Sequence, residues 1–121
     1  MGSIIHNLFH VIDCEQLWVN QMQGTPVIIK DIQEVTTLDD VKTFSNLTRP
    51  VTQNFIESYT SQAKDKVLEI RRNNGSIHLL SYDKVLHHIF IHEIHHIGQL
   101  SVWAREIGVK PISSDIIFRE L

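Results

Sequence analysis

Five of the eight histidines in this 121-residue chain fall between residues 87 and 96, in the run Leu86-His87-His88-Ile89-Phe90-Ile91-His92-Glu93-Ile94-His95-His96. His88, His92 and His96 recur at every fourth position, and residues four apart are neighbours on one face of an α-helix. Neutral imidazoles at that spacing can converge on one cation, and imidazole suits zinc, nickel, copper or iron(II). A catalytic metal site wants three protein ligands and an open position. Part of the set must therefore come from elsewhere in the chain. Upstream, His6, His10, Asp13 and Cys14 are available; downstream there are Asp115 and Glu120. Cys14 reads more readily as a small buried hydrophobe than as a ligand, His6 as a surface residue, and His78 as a surface or cross-strand residue.

His92-Glu93-Ile94-His95-His96 also fits the His-Glu-x-x-His pattern, in which the glutamate serves a zinc peptidase as general base. The continuation found in metzincins is missing: Gly98 comes one residue early and no histidine follows His96. By helical phase Glu93 falls near the middle of an apolar stripe, which predicts a buried supporting group rather than a base aimed at a metal.

The elements that must position these residues follow from periodicity. Ile4, Ile5, Leu8, Val11, Ile12, Trp18, Val19 and Met22 predict a helix over residues 3–23, with Ser3 as its N-cap and Gly24-Thr25-Pro26 as its stop. A second helix opens near Thr37, where Asp39 and Asp40 suit the positive end of the helix dipole. Pro50 lies inside its apolar pattern and is expected to kink or split it. Val67 to Arg71 and Ile77 to Leu80 flank Asn74-Gly75, the signature of a β-hairpin. The last helix should run from Tyr82, capped by Ser81, to Ile107, with Gly108 just past its end and Pro111 beyond. Leu86, Ile89, Ile97, Leu100, Ala104 and Ile107 form its apolar stripe, beside which His92 and His96 lie. Asp115-Ile116-Ile117-Phe118 could make a docking turn. Antiparallel packing of three helices around one core is the expected architecture. Their apolar faces look too wide to cover one another, so Trp18, Val19 and Met22 are expected to be exposed unless a second copy covers them.

The remaining arithmetic excludes several classes. Hydrophobic residues make up 42% and charged residues 21%, which fits one folded domain over residues 1–121 and not a disordered chain. The net charge of −3 leaves no basic footprint for nucleic acid. No apolar run is long enough to span a membrane. The N-terminus lacks the pattern of a secretory signal. With Cys14 alone, no intrachain disulfide can form, in keeping with a reducing cytoplasm.

Taken together, His92-x-x-x-His96-x-Gly98-Gln99-Leu100 resembles the last-helix signature of the DinB/YfiT-like metalloenzymes, which are unrelated to the DNA polymerase of similar name. His10-Val11-Ile12-Asp13 resembles that family's upstream histidine on its second helix. Gly2-Ser3-Ile4 resembles the approach to that helix, and Pro111 with Ser114 to Phe118 resembles the C-terminal segment. The resemblance covers nearly the whole chain. It implies an all-α four-helix bundle, here with a small hairpin before the last helix and without a counterpart of the family's first helix. It implies a divalent metal, zinc or nickel before iron or manganese, held by His10, His92 and His96, with Glu93 and Gln99 as supporting groups. It further implies a small-molecule substrate and transfer or isomerisation that uses a low-molecular-weight thiol. A His-Glu-x-x-His hydrolase and a non-catalytic, metal-binding dimerisation domain are the alternatives, and a homodimer is the expected assembly.

Overall fold

A computed structural model describes residues 2–59 and 65–110. Within these, the chain forms α1 (Gly2–Gln23), α2 (Leu38–Ser58), β1 (Val67–Arg71), β2 (Ile77–Ser81) and α3 (Tyr82–Glu106), with one 3-10 turn at Ile32–Glu34. The described part is thus mostly helical, as expected for an all-α protein with a small hairpin. Helix α1 already includes Ser3, so Ser3 is not its cap. The docking turn and the carboxylates expected at Asp115 to Phe118 and Glu120 lie outside the described residues.

Helix α1 sits between the other two. It runs antiparallel to α3: Asn7 meets Gln99, Trp18 meets His88, and the Tyr82 hydroxyl donates to the Met22 carbonyl. Against α2 the expectation of antiparallel packing fails. Phe9 pairs with Phe44 at a ring separation of 4.9 Å, while Val19 and Met22 meet Phe55 eleven residues further along α2, so α1 and α2 are parallel. The reason is the connection over residues 24–37. It is long enough to return along α1, whose 22 residues span roughly 33 Å. A buried glutamine pins it there. Gln16 Nε2 donates to the Ile28 carbonyl at 2.8 Å, and the Ile28 N–H donates back to Gln16 Oε1 at 3.2 Å. Val35, fully buried, then plugs the space beside Ile5 and Phe9.

Two apolar cores result. Ile5, Phe9, Val35, Val41 and Phe44 join the first halves of α1 and α2; Val19, Met22, Phe55, Val85 and Ile89 join all three helices at the other end. Val19 and Met22 are therefore covered within one chain, and Trp18 half-covered, contrary to the expectation of exposure. Leu68 and Leu80 of the hairpin pack on the second core.

Local chemistry fixes the ends. Thr37 and Asp40 form a reciprocal capping box at the start of α2: Asp40 N–H donates to Thr37 Oγ1 at 3.1 Å, and Thr37 N–H to Asp40 Oδ2 at 3.0 Å. Helix α2 runs unbroken through Pro50, so the split does not occur. Proline removes one intrahelical hydrogen bond and crowds the turn before it, but Phe44 and Thr48 before it and Phe55 after it are all buried. The hairpin pairs Val67 with Ser81 through Arg71 with Ile77. Its loop turns at Gly75 (φ +84°), whose N–H donates to the Arg72 carbonyl, a three-residue loop closed by a left-handed residue. Ser81 caps α3 by accepting from Lys84 N–H, and α3 ends in a Schellman motif: Gly108 (φ +81°) donates to Arg105, and Val109 to Ala104.

Candidate metal centre

The antiparallel crossing of α1 and α3 decides which histidines meet. His10 projects from the first half of α1 and meets His92 and His96 from the middle of α3, each at a ring separation of 5.1 Å. The rings of His92 and His96 lie 4.4 Å apart, and their Nε2 atoms face each other at 3.1 Å. One ligand atom from each of the three residues can be chosen so that all lie within 4.8 Å of one another. Two imidazole nitrogens bound at about 2.0–2.1 Å to one ion sit roughly 3.0–3.4 Å apart. The facing Nε2 atoms already have that spacing, so the residues fit a divalent ion.

The electrostatics agree with that fit. Burial, with the neighbouring imidazoles His96, His10, His88 and His95, pushes the pKa of His92 below its ordinary value. Burial, with His10 and His95, lowers that of His96. Both rings are thereby kept neutral, the form that binds metal. His10 is exposed while His92 and His96 are half-buried, so the cluster opens to solvent on the α1 side.

The other histidines do not join the cluster, whereas Cys14 and Glu93 border it. His88 is exposed and packs edge-on against Trp18 at 5.7 Å, one turn short of the cluster. His87 faces Asp83 on the surface, and His6, His78 and His95 are exposed. Cys14 is half-buried with Sγ 3.6 Å from His10 Nδ1, and burial raises its thiol pKa, with Asp13 adding to the effect. Its sulfur is therefore a neutral neighbour of a candidate ligand, close to the expected small hydrophobe. Glu93 lies against Glu15 of α1. Burial first, then that carboxyl, pushes the Glu93 pKa up to about 8. Turned to Glu15 and biased toward its protonated form, this carboxyl reads as the expected buried supporting group rather than as the free carboxylate that the His-Glu-x-x-His pattern calls for. Gln99 Oε1 accepts from Asn7 Nδ2 at 3.1 Å, and its side chain also hydrogen-bonds His96, which partly offsets the lowering of that ring's pKa.

Asn7 is the functional neighbour that sequence reasoning missed. Its Nδ2 lies 2.8 Å from His96 Nδ1. The signal was present, because Asn7 precedes His10 by three positions and so shares its helical face. The partner on α3 was not readable, because it depends on how the two helices cross.

Three helices joined by a long return connection, with three convergent histidines where the middle of α3 crosses α1, define the class. The DinB family model matches residues 1–120, and the chain belongs to the DinB family. The chain is 40% identical over 119 residues to the uncharacterized protein YizA of Bacillus subtilis (strain 168), covering 98% of this chain and 74% of that protein. Among the described residues no helix is long and apolar enough to cross a membrane.

Proposed function

We propose that this chain is a metal-dependent enzyme in which His10, His92 and His96 hold one divalent ion, zinc or nickel before iron or manganese, and which acts on a small electrophile with a low-molecular-weight thiol. The observation that carries the reading is the convergence of three imidazoles from two helices, two of them with Nε2 atoms 3.1 Å apart. Bound there, a divalent ion supplies Lewis acidity, which lowers the pKa of a thiol or water beside it. The chain's own part is positional. His92 and His96 are kept neutral by burial, and the exposed side at His10 admits a small molecule.

Substrate space lies on the neighbouring face of α1. A groove of about 380 Å³ is lined by Ile12 and Glu15 of α1 and by Thr48, Arg49, Thr52 and Gln53 of α2. Glu15 also borders the small cavity that contains Cys14, His92 and Glu93, and so links the groove to the cluster. Arg49 offers a cation to a polar substrate there, beside the carboxylates of Glu15 and Glu57, the second of which already accepts from Gln53 Nε2 at 3.1 Å.

The reading includes one domain over residues 1–121, a family four-helix bundle, a cytoplasmic setting suited to the single cysteine, and a homodimer. Support for the dimer is the outer face of α3, where Phe90, Ile91, Ile94 and Val102 are all more than half exposed. Such a contiguous apolar face commonly marks an interaction surface. Ile94→Glu should convert a dimer into a monomer by solution mass; a monomeric wild type overturns the dimer.

Elemental analysis of protein purified without a His-tag or nickel column tests the metal. About one equivalent per chain, lost in His10→Ala, His92→Ala and His96→Ala, is the expected result. Full stoichiometry in His92→Ala overturns the assignment, as does a wild type that stays metal-free after reconstitution at neutral pH. Turnover of electrophile panels only with added thiol then supports the transferase; turnover of esters or peptides without thiol overturns it in favour of a hydrolase.

A further inference from the structure

We propose that Asn7, backed by Gln99, is the positioning residue that sets which nitrogen of His96 carries the proton, and that its amide reverses when the three-histidine site fills. The inference rests on the metal-centre reading above. Three observations carry it: Asn7 Nδ2 lies 2.8 Å from His96 Nδ1, the same atom lies 3.1 Å from Gln99 Oε1, and His96 Nε2 faces His92 Nε2 at 3.1 Å.

A neutral imidazole has one N–H and one lone pair, on different nitrogens. With Asn7 Nδ2 donating, His96 Nδ1 must accept, and the ring proton sits on Nε2. That is the atom aimed at His92, where it can donate to the second ring. An ion between the rings needs the Nε2 lone pair, so the proton must then reside on Nδ1 and Nδ1 must find an acceptor. Asn7 supplies one by a half-turn of its amide. The reversal puts Oδ1 where Nδ2 stood, and nitrogen and oxygen of an amide have nearly the same shape. Gln99 turns in concert, so that its Nε2 donates to Asn7 Oδ1 across the same gap. In the orientation with Nδ2 toward His96, Asn7 Oδ1 has no partner among the described residues. Reversal gives that oxygen two donors, and the amide nitrogen takes its place without a partner. The amide is therefore never fully satisfied, which keeps its two orientations close in energy. Ligand histidines commonly hold a partner on the second ring nitrogen, and loss of that partner weakens metal affinity about 10–100-fold.

The test is zinc affinity by competition titration, with 15N chemical shifts of His96 as a second readout. Asn7→Leu removes the partner and should weaken zinc binding about 10–100-fold. Asn7→Asp can only accept, so it should bind zinc at least as tightly as wild type. In wild type, His96 should show the Nε2–H tautomer without zinc and the Nδ1–H tautomer with it; in Asn7→Asp it should show Nδ1–H in both states. Thermal unfolding of the metal-free variants separates this role from mere packing, since a loss of fold lowers Tm before zinc is added. Asn7→Leu within twofold of wild type, or the same metal-free tautomer in wild type and Asn7→Asp, overturns this inference alone. A wild type that binds no zinc overturns the metal-centre reading, and the inference falls with it.

Discussion

The two halves of the α1–α3 crossing are built from the same helices and could hardly differ more. Near the hairpin, Val19 and Met22 of α1 meet Val85 and Ile89 of α3, and Phe55 of α2 seals the contact. Beyond Ile89, not one residue of α3 is fully buried. There the crossing is held by imidazoles and amides: His10 with His92 and His96, and Asn7 with His96 and Gln99. One half is joined by apolar area, which needs no partner of defined geometry. The other is joined by polar groups, each of which needs its partner at hydrogen-bond distance. Stability therefore belongs to the first half and chemistry to the second.

The sharpest way to break this contrast is a pair of truncations. Phe55→Ala should cost about 3–5 kcal/mol by denaturant titration, since it opens a cavity where three helices meet. Ile94→Ala, on the exposed face of the second half, should stay within about 0.5 kcal/mol in the monomer. Equal losses would show that the halves are not distinct. Next in size is the effect of metal. At a free zinc concentration about 100-fold above Kd, the fold should gain about 2.7 kcal/mol. Chelation should reverse the gain, and His92→Ala should abolish it. Slowed amide exchange confined to the turns of α1 around His10 and of α3 around His92 and His96 would place the gain where the comparison puts it.

A smaller effect tests the polar half through pH. Between the ordinary carboxyl value of 4.5 and about 8, Glu93 in the folded, metal-free chain holds a proton that the unfolded chain has lost. Its contribution is present below pH 4.5 and lost as pH rises through 8. His92 and His96, with lowered pKa values, act in the opposite sense: their contribution is present above about pH 6.5 and lost as pH falls. Glu93→Gln should remove only the loss on the alkaline side, raising stability at pH 8 by on the order of 1 kcal/mol after solvent screening. An unchanged pH profile of Tm would refute the buried, protonated carboxyl. Smallest in reach is Thr37→Ala, which removes the cap of α2 far from the histidines. It should cost about 1 kcal/mol and leave zinc affinity unchanged.

The hairpin, the start of α3 at Tyr82 and its end at Gly108 were legible because each depends on residues within one or two turns of the signal. Ser81 caps by its own side chain, and Gly75 and Gly108 supply a backbone conformation that other residues resist. The return of residues 24–37 was not legible. It depends on Gln16 recognising the backbone of Ile28, and nothing in the sequence marks a buried glutamine as a clamp. Pro50 misled for a related reason: a local preference for breaking the helix was overridden by core contacts on both sides of it.

The sequence by itself determined the histidine row, the helix ends that present it and the family resemblance that singled out His10. Those are properties of spacing along one chain segment, and 3.6-residue periodicity translates them directly into faces. Only the tertiary structure decided that His10 meets His92 and His96 while His88 meets Trp18, that Glu93 turns to Glu15, and that Asn7 reaches His96. Each of those pairs joins residues of α1 and α3 at least 70 positions apart in sequence. Which residues meet is set by the antiparallel crossing and its axial offset, and that offset is held by the apolar half of the interface, around Val19, Met22, Val85 and Ile89.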